Sequence, residues 1–286
     1  DAFSTEIFLS NNTIDDLQQT RGPGDFGDFQ ISVNGRDNVV YLGADDSRQA
    51  NDLFNETDFF KLVGTYLVGD HVITAGYERQ ERETFNLFVQ HSRGGEWDFF
   101  DDSSSNDPAC AALTSQGRAD DTLGLGCRTS GIDKFQLGTP SRIYYGSGGG
   151  SNVAADAGAN FTNVETSLYL QDEWYLADYD LTVTYGLRYE TFESSDTPKF
   201  NQNFADANGG LRNDANIDDL DSLMPRIGFE WDASEKLSVR GGFGLYSGGN
   251  PLVWISNSYS NDGITNVQER LNNFGGLSVL NGEIPL

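Results

Sequence analysis

Several residue types are scarce in this chain, and each shortage narrows what it can be. Basic residues number 18 against 44 acidic ones, a formal net charge of −26. Binding to phosphate backbones needs Lys and Arg, which argues against nucleic acid as a partner. There are two cysteines, Cys110 and Cys127, and two histidines, His71 and His91. That inventory argues against a zinc site. No apolar run reaches the roughly 18 residues of a transmembrane helix. No signal peptide opens the chain, since Asp1-Ala2-Phe3-Ser4-Thr5-Glu6 has neither a basic n-region nor an apolar h-region. A removed leader or an internal segment of a longer protein would both look this way.

What is present is aromatic and strand-like. Aromatics make up 12 % of the 286 residues, too many for a disordered chain. Between Leu181 and Tyr189 every second residue is apolar or aromatic: Leu181, Val183, Tyr185, Leu187 and Tyr189. Between them stand Thr182, Thr184, Gly186 and Arg188. Period two means a strand with one greasy and one polar face. The same pattern recurs in 224–232, where Ile227, Phe229 and Trp231 oppose Arg226, Gly228 and Glu230. In 236–247, Leu237, Val239, Phe243 and Leu245 oppose Ser238, Arg240, Gly242 and Gly244.

The strands come in pairs joined by tight turns. Residues 56–68 and 71–90 flank Gly69-Asp70, 164–176 and 180–192 flank a turn at Asp178, and 224–232 and 236–247 flank Ala233-Ser234-Glu235. Spacing and turn chemistry make each pair a hairpin. The connections between hairpins are long: about 11–53, 91–161, 193–223 and 248–286, with one short extra hairpin expected near 28–33 and 38–42. Loops beyond about 12–15 residues are uncommon in compact domains. Transmembrane β-barrels alternate short turns at one end with long extracellular loops at the other. The runs also reach the 9–11 residues of a membrane-spanning strand. Trp174, Tyr175 and Trp231 lie beside short turns, as an aromatic girdle requires, although a protein core would take them equally well. Arg188, Glu190, Arg226, Glu230 and Arg240 all fall on polar faces, which suits a wet lumen. The expected fold is all-β: an antiparallel transmembrane β-barrel, present in part, with about seven membrane strands.

No catalytic constellation stands out, and neither histidine has a partner at a telling spacing, so no enzyme activity is expected. "RGGFG" at 240–244 falls inside a strand, where glycines serve curvature rather than phosphate binding. Cys110 and Cys127, 17 positions apart among Asp, Ser and Gly, predict a disulfide in an oxidising compartment. Such a bridge would contribute about 3 kcal/mol. Asp214, Asp218, Asp219 and Asp221 could offer oxygen ligands to Ca²⁺, but without EF-hand spacing a solvated acidic loop is the plainer reading. Substrate contact is expected at loop aromatics: Trp97, Phe99, Phe100, Tyr144, Tyr145 and Trp254.

Longer stretches carry a resemblance. "LYLQDEWYLADYDLTVTYGLRYE" and "MPRIGFEWDASEKLSVRGGFGLYSGGNPLVWISNSYSNDG" resemble the barrel of TonB-dependent outer-membrane receptors. "YLVGDHVITAGYERQERETFNLFVQHSRG" and "RQANDL" resemble the Oar-like branch, and the likeness covers most of residues 28–265. The resemblance implies a 22-stranded barrel closed by a plug and energised by TonB, in the outer membrane of a Gram-negative bacterium. It also implies uptake or export of a large solute, with lipid, lipopolysaccharide, TonB and an accessory lipoprotein as partners. No TonB box, plug, regulatory domain or aromatic-ended final strand is recognisable, which marks these residues as a fragment of the receptor. Two other functions fit the same residues: a passive outer-membrane pore, and a secreted acidic β-sandwich acting as a Ca²⁺-dependent adhesin.

Overall fold

The structure, a computed structural model, describes residues 2–21, 27–33, 38–43, 45, 47–101, 130–138, 140–218, 220–248 and 252–272. It forms two compact units, one of residues 1–15, 53–85 and 159–262, the other of 16–52, 86–158 and 263–286.

The first unit is built on seven long strands: β1 (Phe3–Gln18), β4 (Ala50–Val68), β5 (His71–Val89), β8 (Ala159–Leu176), β9 (Leu181–Glu193), β10 (Leu220–Ser234) and β11 (Leu237–Gly244). They lie side by side in that order, so neighbours in sequence are neighbours in the sheet. The pairs β8–β9, β9–β10 and β10–β11 are antiparallel. Side-chain bonds Lys61–Glu6 and Asn11–Glu56 run oppositely along β1 and β4, which makes that pair antiparallel too. Three connections are tight. Gly69, at φ 57, supplies the left-handed position of the two-residue turn between β4 and β5. Asp180, at φ 48, does the same after the short 3₁₀ turn Ala177–Tyr179. The third turn, Glu235-Lys236, follows a bulge between Asp232 and Ser234. The sheet is open, with β1 and β11 at its edges, and makes a partial barrel wall.

Register turns the period-two pattern into rows across the sheet. On one face run Trp231–Leu181–Leu176, Phe229–Val183–Trp174, Ile227–Tyr185–Asp172, Pro225–Leu187–Leu170 and Leu223–Tyr189–Leu168. Val239, Gly241 and Phe243 extend the first three onto β11. Most of the large apolar members of these rows are 37–79 % exposed, while Leu176, Leu181 and Val183 are half-buried. An uncovered greasy face this size is far beyond the patches that soluble monomers tolerate. A soluble sandwich would have buried it, so the adhesin alternative fails here.

A helix, α3 (Leu252–Ser260), packs onto the start of β8, where Tyr259 stacks on Phe161 with ring centroids 4.7 Å apart. Ala159 and Phe161 are buried beneath it. A second short helix, α2 (Gln202–Ala207), is capped by Asn201, whose side chain accepts from the Phe204 N–H.

The second unit shows that the long connections are not structureless. They contribute β2 (Asp28–Ser32), β3 (Val39–Leu42), β6 (Glu96–Phe99), β7 (Arg142–Gly148) and β12 (Asn266–Asn272), which form a five-stranded sheet in the order β12-β7-β6-β2-β3. The expected hairpin near 28–33 and 38–42 is β2–β3. The loop expected over 11–53 also yields residues to β1 and β4 at its two ends. On one face of this sheet Ile31, Trp97, Phe99 and Ile143 form a small core with Phe29. Phe135 of α1 (Gly131–Leu137) meets Phe99 edge-on, at 5.3 Å. Ser130 caps that helix by accepting from the Asp133 N–H, and Gly138, left-handed at φ 67, ends it.

Candidate functional site

The wall's second face is polar, and its chemistry is concentrated around Arg188. Alternation on β9 places Arg188 and Glu190 on this face, register brings Ser167 of β8 opposite Glu190, and β5 contributes Glu78. The guanidinium donates to Glu78 at 2.8 Å, to Glu190 at 2.6 Å and to Ser167 at 2.7 Å, and lies over the Tyr169 ring. Glu190 also accepts from Ser247 at 2.5 Å. On the same face Lys61 of β4 reaches Glu6 of β1 at 2.8 Å. Tyr169 lies against Gly76 so closely that a Cβ there would collide with the ring, which accounts for a glycine in mid-strand. One cation between two carboxylates, with hydroxyls on the remaining lone pairs, is a satisfied arrangement for a half-dry surface. It offers a charged, hydrogen-bonding lining and no nucleophile–base pair.

The second sheet has its own polar face. Arg142 pairs with Asp98 and lies between the rings of Phe100 and Tyr144, at 4.9 and 5.0 Å. Burial works against the charge on Arg142, but the Asp98 carboxylate outweighs it and holds the guanidinium pKa above its ordinary value. Among the described residues one group of three metal-ligating side chains converges: Asp28, His91 and Glu96.

The expected contact aromatics divide. Trp97 and Phe99 are core, not surface, because β6 turns them onto the apolar face of its sheet. Phe100 and Tyr144 hold Arg142. The Tyr145 hydroxyl donates to Asn152, beside a shallow pocket lined by Gly148, Gly149, Gly150 and Val267. Trp254, on α3, is 71 % exposed. The acidic segment is spread out: Asp214 is held by Arg212, Asp218 accepts from the Ser194 N–H, and Asp221 is the second residue of β10. Those three do not form a ligand cluster among the described residues. The Arg212 ion pair holds the Asp214 carboxyl below the usual carboxylate range. Asp219, Cys110 and Cys127 lie outside the described residues.

What sequence reasoning missed is the convergence of the Asp28 group and of Glu78 with Arg188, because each joins segments far apart in the chain. For Arg188 and Glu190 the signal existed, as charges on the polar side of a long strand.

A family model for an outer membrane beta barrel domain matches residues 4–279. Searches of curated proteins and of solved structures found no match. With the barrel wall and the match in hand, the uncovered apolar rows are lipid-facing, the charged face lines the interior, and the location is the outer membrane of a Gram-negative bacterium. The chain belongs to the outer membrane β-barrel domain family.

Proposed function

We propose that these residues form part of the barrel of a TonB-dependent transporter of the Oar-like kind, which binds a large solute outside the cell and moves it across the outer membrane. The observation that carries this reading is the interior face: the Arg188–Glu78–Glu190 cluster and Lys61–Glu6 give the wall a dense, salt-bridged lining. A plug would need such a surface to dock against and to slip from, and charged hydrogen bonds serve both. The long connections, folded into a sheet whose strand β12 exposes Gln268, Glu269 and Arg270, suit solute capture. In this reading the energy comes through TonB, and lipopolysaccharide and an accessory lipoprotein are the outer-membrane partners.

The rival is a passive pore, favoured by the same polar lining. Full-length protein, extracted from outer membranes and inserted into planar bilayers, separates the two. A plugged transporter is electrically silent at moderate voltage. A steady ohmic conductance, unaffected by any TonB fragment, would establish the pore instead.

A further inference from the structure

We propose that Asp28, His91 and Glu96 bind one divalent transition cation of the Zn²⁺ class, a site distinct from the transport lining. Their assembly follows from the second sheet's geometry. β2 and β6 pair in parallel with Asp28 directly opposite Glu96. Alternation sends Phe29, Ile31, Trp97 and Phe99 to the apolar side, which leaves Asp28 and Glu96 together on the other. The turn after β5 then folds His91 over the pair. The result is one nitrogen and two carboxylate oxygens, all within 4.8 Å of one another, with His91 Nδ1 3.1 Å from Glu96 Oε2.

Three features favour a cation over an ordinary polar contact. The first is burial: Asp28 is 1 % and Glu96 5 % exposed, and the His91 side chain 12 %. Two carboxylates this close in a dry site repel each other unless positive charge lies between them. Second, the next row of the same face holds a third buried carboxylate, Asp98, opposite Arg142. With His91 protonated, these five side chains still carry three negative charges against two positive. A divalent ion bound to neutral His91 cancels that imbalance, three positive charges against three negative. Third, the ligands are well supported. Tyr144 stacks on the imidazole, 5.6 Å between centroids, and fixes its plane. Gly27, whose Cβ would come within 2.7 Å of the Gly95 carbonyl, lets β2 approach the turn.

Ligand chemistry selects the ion. Ca²⁺ and Mg²⁺ prefer all-oxygen sets, whereas an imidazole with two carboxylates suits Zn²⁺ and its neighbours. Three protein ligands leave a fourth tetrahedral position for water. The ion would tie three chain segments together: the start of β2, the start of β6 and the turn that follows β5.

The test uses full-length protein in detergent, stripped with a chelator and titrated with Zn²⁺ against a chromophoric competitor. His91→Gly is the informative variant. His91 sits at φ 56, a left-handed conformation that glycine adopts freely, so the imidazole is lost without backbone strain. Wild type should bind one equivalent of Zn²⁺ more than His91→Gly, and Glu96→Gln should weaken that equivalent by at least about 100-fold. Near-ultraviolet dichroism of the tryptophans, Trp97 among them, reports that each variant is folded. Equal stoichiometry and affinity in wild type and folded His91→Gly would overturn the proposal.

Discussion

The lipid-facing assignment can be tested by depth. Leu187 is six positions along β9 from Leu181, which pairs with Trp231 at the tight-turn end. At about 3.3 Å per residue and a tilt near 45°, that distance is about 14 Å along the membrane normal. The apolar band of such barrels is about 25 Å tall, so Leu187 sits close to its middle. Arg at mid-depth on the lipid face costs about 2–4 kcal/mol, falling to about 0–1 at the interface. Leu187→Arg should therefore destabilise by about 2–4 kcal/mol, Leu181→Arg by at most about 1, and Thr184→Arg, on the interior face, by about 0.5 or less. Guanidinium titration of the protein in phospholipid vesicles, followed by tryptophan fluorescence, reads all three. If the greasy face met water, Leu187→Arg would be an exposed surface change and nearly silent. A Leu187→Arg cost equal to that of Thr184→Arg would refute the lipid-facing assignment.

Two further outcomes follow from the geometry. Arg188→Met strips Glu78 and Glu190 of their shared cation while leaving both carboxylates on the interior face, so the same titration should show a loss of about 1.5–3 kcal/mol; a change under about 0.5 would mean that solvent screens the cluster. Burial raises the Tyr259 hydroxyl pKa, while its hydrogen bond with Ser194 acts the other way. Because the folded pKa lies above the unfolded one, this stabilisation is complete below about pH 10 and fades as pH rises beyond it. Tyr259→Phe should flatten the stability profile above about pH 10, and an unchanged alkaline slope would count against the buried hydroxyl.

How much of this was legible depended on how locally each element is specified. The three hairpins were readable because alternation and turn residues lie within about 30 positions: Leu181 to Tyr189 declares its faces, and Gly69-Asp70 declares its turn. β1 was not readable. Ile7-Phe8-Leu9 breaks the alternation, and Asn11-Asn12 and Asp15-Asp16 look like loop, yet β4 supplies the pairing that makes Phe3–Gln18 a strand. Apart from its β2–β3 hairpin, the second sheet was hidden for the same reason. Its strands have four to seven residues, and its pairings join Asp28 to Glu96 and Tyr145 to Glu269. Pairings over such separations leave no local period to detect. Trp97 illustrates the consequence: alone it resembles a loop aromatic, and only its neighbours Ile31 and Ile143 make it core.

One carboxylate breaks the lipid-facing pattern, and its treatment shows how the wall tolerates it. Asp172 shares a row with Tyr185 and Ile227, four positions above the turn row, or about 9 Å deep. Its Oδ2 accepts from the Tyr185 hydroxyl at 2.6 Å and contacts His71 Nδ1 at 2.7 Å, while Oδ1 is buried with no hydrogen-bond partner among the described residues. His71 in turn stacks on Trp174, at 5.4 Å, within the aromatic girdle. Tyr185→Phe leaves the carboxylate one donor poorer among the greasy rows, and should lower stability. Adding Asp172→Leu to Tyr185→Phe removes the charge that needed the donor, and the double variant should recover most of that loss. Unfolding of both variants in vesicles decides it. If the double variant were less stable than Tyr185→Phe alone, Asp172 would be contributing stability in its own right, and a depth of about 9 Å would have to be wetter than the greasy rows around it imply.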